Sequence, residues 1–209
     1  MVTVTQLAYA VFSDDFNDCS RDSSKWNAGS VVGQYLVGAA GYDTTIPVSE
    51  TSGRLQISPR TGVDGDHYAG YVSAATYDFS GMAAAVEVPQ AATGAADTIL
   101  AVVRDSQNFA FIVVEEGMLY FDRCTAGSRS ISGIPYSATN HRWWRLRHDV
   151  ATNRIHFETS ANGTSWTSQR NDAVSFPISA LRMEISAGTG TVVPATLSAQ
   201  FDNFSLTRP

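Results

Sequence analysis

The feature that most constrains this chain is its rhythm. Many stretches of five to eight residues carry strand-like apolar patterns and stop at Gly, Asp, Asn, Ser or Pro, and no long segment repeats apolar residues at helical spacing. The clearest run over 9–16, 53–59, 67–79, 82–89, 98–104, 108–115, 117–122, 142–150, 154–160, 165–169, 181–188 and 196–207. With no helices to cover a parallel sheet, about a dozen short strands predict an all-β fold, a two-sheet antiparallel sandwich of the jelly-roll kind. At 209 residues, the chain suits one such domain over 1–209, with residues 1–8 as an N-terminal arm.

Local patterns sharpen this expectation. From Thr98 to Asp122 three segments, apolar on both faces, are joined by Asp105-Ser106-Gln107 and Glu116-Gly117, which predicts a central meander. Ile155, Phe157 and Thr159 alternate with Arg154, His156 and Glu158 before Ala161-Asn162-Gly163, which predicts a hairpin with one wet face. In the last segment the apolar phase of Leu197, Ala199 and Phe201 slips to Phe204 and Leu206 across Asp202-Asn203, which reads as a β-bulge. Jelly rolls usually pair their terminal strands, so the acidic segments at the two ends are expected to meet at a sheet edge. The stretch from Ala28 to Glu50, poorly periodic, is expected to be a long loop over one face or a contact with another subunit.

The net charge of −6 and the scatter of 14 Lys and Arg residues argue against nucleic acid as a partner. No run approaches the roughly 18 apolar residues of a membrane helix, so membrane insertion is not expected. The opening MVTVTQLAYAVF lacks the basic and long apolar regions of a signal peptide. That points to a domain cut from a longer secreted protein, or to a protein leaving its cell by another route such as host lysis. Cys19 and Cys124 are the two cysteines; one bridge between them is open to the chain, with free thiols as the alternative.

The succession DDFND, YDFSGMAAAVEVP, RWWRLRHDV, IHFETSANGTSWT and FDNFSL resembles concanavalin A-like lectin and glucanase (laminin-G-like) jelly-roll modules over nearly the whole chain. More narrowly, HRWWRLR followed by FETSANGTSWT is similar to jelly-roll domains of minor tail and other virion proteins from phages of actinobacteria. The resemblance implies fold more than function. It also implies that an enzyme of the glucanase branch would carry a Glu-x-Asp-x-x-Glu run on the strand after the VP segment. Here that neighbourhood reads AATGAADTILAVVRDS, without a glutamate, so a non-catalytic protein is expected.

The remaining candidates follow from residue chemistry. Glu115 and Glu116 point to opposite faces if both lie in a strand, and they read as the cap of a turn with Gly117. Glu87, Glu158 and Glu184 lie on polar strand faces that only tertiary structure can bring together. The four histidines, at 67, 141, 148 and 156, form no recognisable motif, and Asp64-Gly65-Asp66 reads as a turn. A structural calcium ion, as related jelly rolls often use to tie their terminal strands, would draw on Asp14, Asp15 and Asp202, with Asp18 nearby. For a glycan, Trp143 with Arg145 and Arg147 on its strand face is the candidate binding surface, against the plainer reading of packed and solvated residues. Tyr68, Tyr71, Tyr77, Tyr120 and Tyr136 are further aromatic candidates. In order of preference, the sequence suggests a virion structural or adhesion protein, a carbohydrate-binding module of a secreted enzyme, and a hydrolase. The first implies a virion location, with copies of itself, other virion proteins or a cell-surface glycan as partners; the second implies an extracellular one.

Overall fold

The computed structural model describes residues 9–30 and 42–208, and no helix occurs among them. In chain order the strands are β1 Tyr9–Asp14, β2 Trp26–Ala28, β3 Val48–Glu50, β4 Leu55–Ile57, β5 His67–Ser73, β6 Ala83–Gln90, β7 Ala96–Asp105, β8 Asn108–Glu115, β9 Met118–Thr125, β10 Ser128–Pro135, β11 Trp143–Asp149, β12 Arg154–Ser160, β13 Thr167–Ala173, β14 Arg182–Thr189 and β15 Ala199–Arg208. They form two antiparallel sheets. The first runs β13-β12-β11-β6-β15-β4-β3, with β1 also paired to β15; the second runs β10-β9-β8-β7-β14-β5-β2.

The predicted sandwich is therefore the observed one, and its local signatures hold. β7, β8 and β9 are the expected meander, β12 and β13 the expected hairpin, and β1 pairs with β15 at the chain ends. The β15–β6 register shifts on either side of Asp202, and Asn203 takes a positive φ of 49°, which is the bulge the phase slip announced. Strands β2, β3 and β10 escaped the pattern. Two are only three residues long, and β10, SRSISGIP, is an edge strand whose polar residues stand in solvent on both faces. The expected arm at 1–8 and the centre of the expected loop at 31–41 lie outside the described residues.

The inner faces meet in a core that includes Trp144, Leu146 and Phe157 from the first sheet and Leu100, Ile112 and Ile185 from the second. Each such side chain, fully withdrawn from water, contributes about 1.5–3 kcal/mol. At one end Trp26 packs against Phe12, Tyr71 and Phe204, with ring centroids at 5.2, 5.9 and 4.9 Å. Its indole N–H donates to Asp14 Oδ2 at 2.9 Å, so strand β2 is tied to β1 by both apolar and polar contact. Trp26→Ala should lower the unfolding free energy by about 3–5 kcal/mol, read from the urea midpoint, because it opens a cavity and strands the Asp14 carboxylate.

Candidate functional site

Strand alternation gives the second sheet two apolar faces. Ala96, Leu100 and Val102 of β7 look into the core, whereas Ile99, Ala101 and Val103 look outward and pack with Phe109, Phe111 and Val113 of β8. Asp97 is in phase with the outward set. The β7–β8 ladder ends at Thr98 and Val114, and Asp97 and Glu115 are the next residue of each strand beyond it, both in phase with the outward set. The charge of Glu115 is close enough to act on Asp97. Two carboxyls from two strands thus come close at the end of a face whose residues Ile99, Ala101, Val103, Phe109, Phe111 and Val113 are apolar.

A third strand fixes one of them. Gly188 of β14 faces Asp97 on one side and Tyr68 of β5 on the other. A Cβ at Gly188 would fall 2.5 Å from Tyr68 Cδ1 and 2.2 Å from the His67 carbonyl oxygen, so only glycine lets the tyrosine ring lie across β14. The Tyr68 hydroxyl then donates to Asp97 Oδ2 at 2.6 Å, with both residues buried.

The electrostatics follow from this placement. Burial, and then the charge of Glu115, push the Asp97 carboxyl up to about 7 against the opposing hydrogen bond from Tyr68. Burial and the neighbouring Glu116 raise Glu115 as well. The charge of Glu115 acts on Asp97, as in a pair whose first proton leaves Glu115 and whose second stays on Asp97. Tyr68 itself is held protonated by burial and by Asp97.

Beside Glu115 lies a cavity of about 110 Å³, bounded by Phe111 and Glu115 of β8, Tyr120 and Asp122 of β9, and Arg129 and Ile131 of β10. Arg129 Nε donates to Asp122 Oδ2 at 2.7 Å, and Nη2 reaches the same oxygen. Asp122 is wholly buried and its Oδ1 has no hydrogen-bond partner among the described residues, an omission that costs a fold about 1–3 kcal/mol.

The residues singled out from sequence sit elsewhere. Trp143, Arg145 and Arg147 lie on the outer face of the first sheet and are internally engaged. Arg145 stacks on Trp166 at 4.1 Å and bonds Glu158 at 2.5 Å, and Arg147 bonds Glu158 at 3.0 Å. A Cβ on Gly163 would meet the Trp143 ring at 2.9 Å, so the hairpin turn lies on that indole. Glu87 is held by Arg142 and Asn203 on the same sheet, whereas Glu184 is on the second sheet and accepts from Ser30 Oγ, so Glu87, Glu158 and Glu184 do not converge.

The calcium expectation does not survive the geometry. Asp14 is taken by the Trp26 N–H and by the Phe16 amide, Asp15 by the Asn17 amide and Asp202 by the Asn203 amide. Among the described residues no three acidic, His or Cys side chains form a group that could hold a metal ion. The bridge is also corrected: both thiols are free, Cys19 exposed after β1 and Cys124 buried on the outer face of β9. Three strands, β8, β7 and β14, separate β9 from β5, near which Cys19 lies, whereas a disulfide needs Cα atoms within about 7 Å. Glu116 is in the expected turn, with φ of 50° before Gly117, but Glu115 is not merely its cap. Asp64 accepts from the Gly65 amide and His67 binds Asp43 at 2.8 Å, so the D-G-D stretch is a turn.

Asp97 and Glu115 stand on neighbouring strands, so a motif confined to one strand does not contain them both. The available signal was a carboxylate opening a strand, ADTILAVV, that is otherwise apolar on both faces, and a second closing NFAFIVVE.

No protein-family model matches the chain, and no curated protein matches it in sequence. In structure it is an antiparallel β-sandwich with the jelly-roll fold that several glucanases share. It is similar to the laminarinase from Rhodothermus marinus, with a TM-score of 0.70 at 12% identity over 97% of this chain and 99% of that one. It is likewise similar to a non-specific endo-β-1,3(4)-glucanase of family GH16, with a TM-score of 0.69 at 10% identity over 96% of this chain and 91% of that one. The endo-β-1,3-glucanase from Pyrococcus furiosus gives 0.69 at 8% identity, over 96% and 94%. At such identities the likeness is one of fold. The neighbours are nonetheless enzymes, and with the carboxyl pair on the outer face they correct the expectation of a non-catalytic virion protein.

Asp97 also sets a pH dependence. Its folded pKa of about 7 stands above the reference value of 3.8, so the folded state retains a proton that the unfolded chain releases. Stability is therefore lost as pH rises from about 4 to 7, and Glu50, also raised to about 7 by burial, contributes with the same sign. Asp97→Asn should flatten part of this slope, measured as urea midpoints across that range.

Proposed function

We propose that the chain is a glycoside hydrolase acting on a polysaccharide bound at the Glu115 end of the second sheet, where Glu115, Tyr120 and Ile131 reach the surface. The observation that carries the reading is the Asp97–Glu115 pair, two neighbouring carboxyls whose surroundings hold a proton on one and let the other ionise first. Glycosidic bond cleavage asks for that division of labour, a protonated acid at the leaving oxygen and a carboxylate at the anomeric carbon. The neighbouring glucanases of the same fold support it.

In this scheme Asp97, steadied by Tyr68, donates its proton to the glycosidic oxygen as the C–O bond breaks, and the Glu115 carboxylate attacks the anomeric carbon. Water then releases the glycosyl ester, with Asp97 taking up the water's proton. The scheme is the two-step one, with retention of configuration.

The test is release of reducing sugar from a soluble β-1,3-glucan. Asp97→Asn and Glu115→Gln should each lower kcat by about 10²–10⁴-fold, and the first product seen by proton NMR should keep the β configuration. Binding without any sugar release by the unmutated chain would sink the proposal.

A further inference from the structure

The cavity beside Glu115 has features that the carboxyl pair does not require. Tyr120 faces Gly133 across the β9–β10 ladder, and a Cβ on that glycine would stand 2.6 Å from Tyr120 Cδ1 and 2.8 Å from Cε1. The ring therefore lies over the edge strand and presents a face along the sheet surface instead of standing upright. Ile131, the next outward residue of β10, is 53% exposed and extends this apolar strip. Asp122 offers the unpartnered Oδ1 described above, and Arg129, part-exposed, still has N–H groups beyond those held by Oδ2. An aromatic face, a hydrogen-bond acceptor and a donor around one small cavity are the parts that recognise a sugar ring.

The charge around it is one-sided. Asp97, Glu115, Glu116 and Asp122 face or border this end of the sheet, with Asp66 close enough to act on Asp97. The cations that act there, Arg129 and Arg170, are already paired, with Asp122 and Asp172. A ligand bearing carboxylates or sulfates would meet net repulsion in partly dry surroundings.

We propose that Tyr120 laid on Gly133, together with Asp122 and Arg129, forms a sugar subsite adjoining the carboxyl pair, which accepts an uncharged hexopyranose unit and rejects acidic ones. The inference rests on the glycan-cleaving reading above and adds where the chain of sugars runs, across β8 and β9 toward the β10 edge. It also assigns the specificity: a ring hydroxyl donates to Asp122 Oδ1, an acceptor that a uronate or sulfate oxygen cannot satisfy.

The test measures binding of the full chain, in the Asp97→Asn background so that polymer is not consumed, by titration calorimetry. The probes are a soluble neutral β-1,3-glucan and the same polymer carboxymethylated. The neutral polymer should bind at least tenfold more tightly. Tyr120→Ala, and Gly133→Val, which displaces the ring, should each weaken neutral binding about tenfold, whereas Tyr120→Phe should stay within twofold of the parent. Equal affinity for the two polymers, or unchanged binding by Tyr120→Ala and Gly133→Val, overturns the subsite. The polymer comparison needs no change at Tyr120, so it decides the matter even if those variants fail to fold. Loss of hydrolysis in Asp97→Asn with Tyr120-independent binding removes the subsite alone. Tyr120-dependent neutral binding by a chain that never releases sugar removes the hydrolase reading alone.

Discussion

Strands β7 and β8 are apolar on both faces, and the behaviour of the second sheet depends on that double burial. Their inner residues complete the core. Their outer residues, Ile99, Ala101, Val103, Phe109 and Phe111, are also withdrawn from water and make the outer surface a low-dielectric one. A carboxyl placed there must find a donor or keep its proton. Asp97 finds Tyr68 and is still pushed up to about 7, Asp122 finds Arg129, and Glu184 accepts from Ser30.

The first sheet shows the opposite solution on the same architecture. Its outer carboxylates are met by arginines: Glu158 by Arg145 and Arg147, Glu87 by Arg142. The two guanidiniums hold Glu158 below the usual range although burial opposes them. Those groups stay ionised and committed, and the surface is closed by ion pairs and by Trp166 stacked on Arg145. On the second sheet the arginines are fewer, and Arg182 is spent on the backbone oxygens of Ser73 and Ala74. A scarcity of cations, more than any excess of acids, leaves protonatable groups on one face and not the other.

Two glycines, Gly188 and Gly133, do similar work at the two ends of this face. Each lacks the Cβ that would hold an aromatic neighbour upright, and each lets a tyrosine ring lie across its strand. One ring carries a hydroxyl to Asp97; the other flattens the edge beside Glu115. Sheet pairing supplies the register, and the missing side chain supplies the room.

The period-two alternation, the meander, the bulge at Asp202-Asn203 and the pairing of the chain ends were all legible in the sequence. Each is a property of one strand or of strands joined by a short turn. Asp97 and Glu115 are legible as letters but not as a pair, because they stand on different strands and nothing local in either segment points to the other. Their meeting is set by the folding of β8 back along β7, and their proton affinities by burial that also draws on β14, β5 and β10. The commitment of Trp143, Arg145 and Arg147 to Glu158 and the 161–166 turn was likewise hidden, since which charges meet depends on strands that only the folded sheet brings side by side. Alternation is local and can be read from the chain; register and dielectric sum contacts among distant segments, so the tertiary structure alone decided which of the acids share a site.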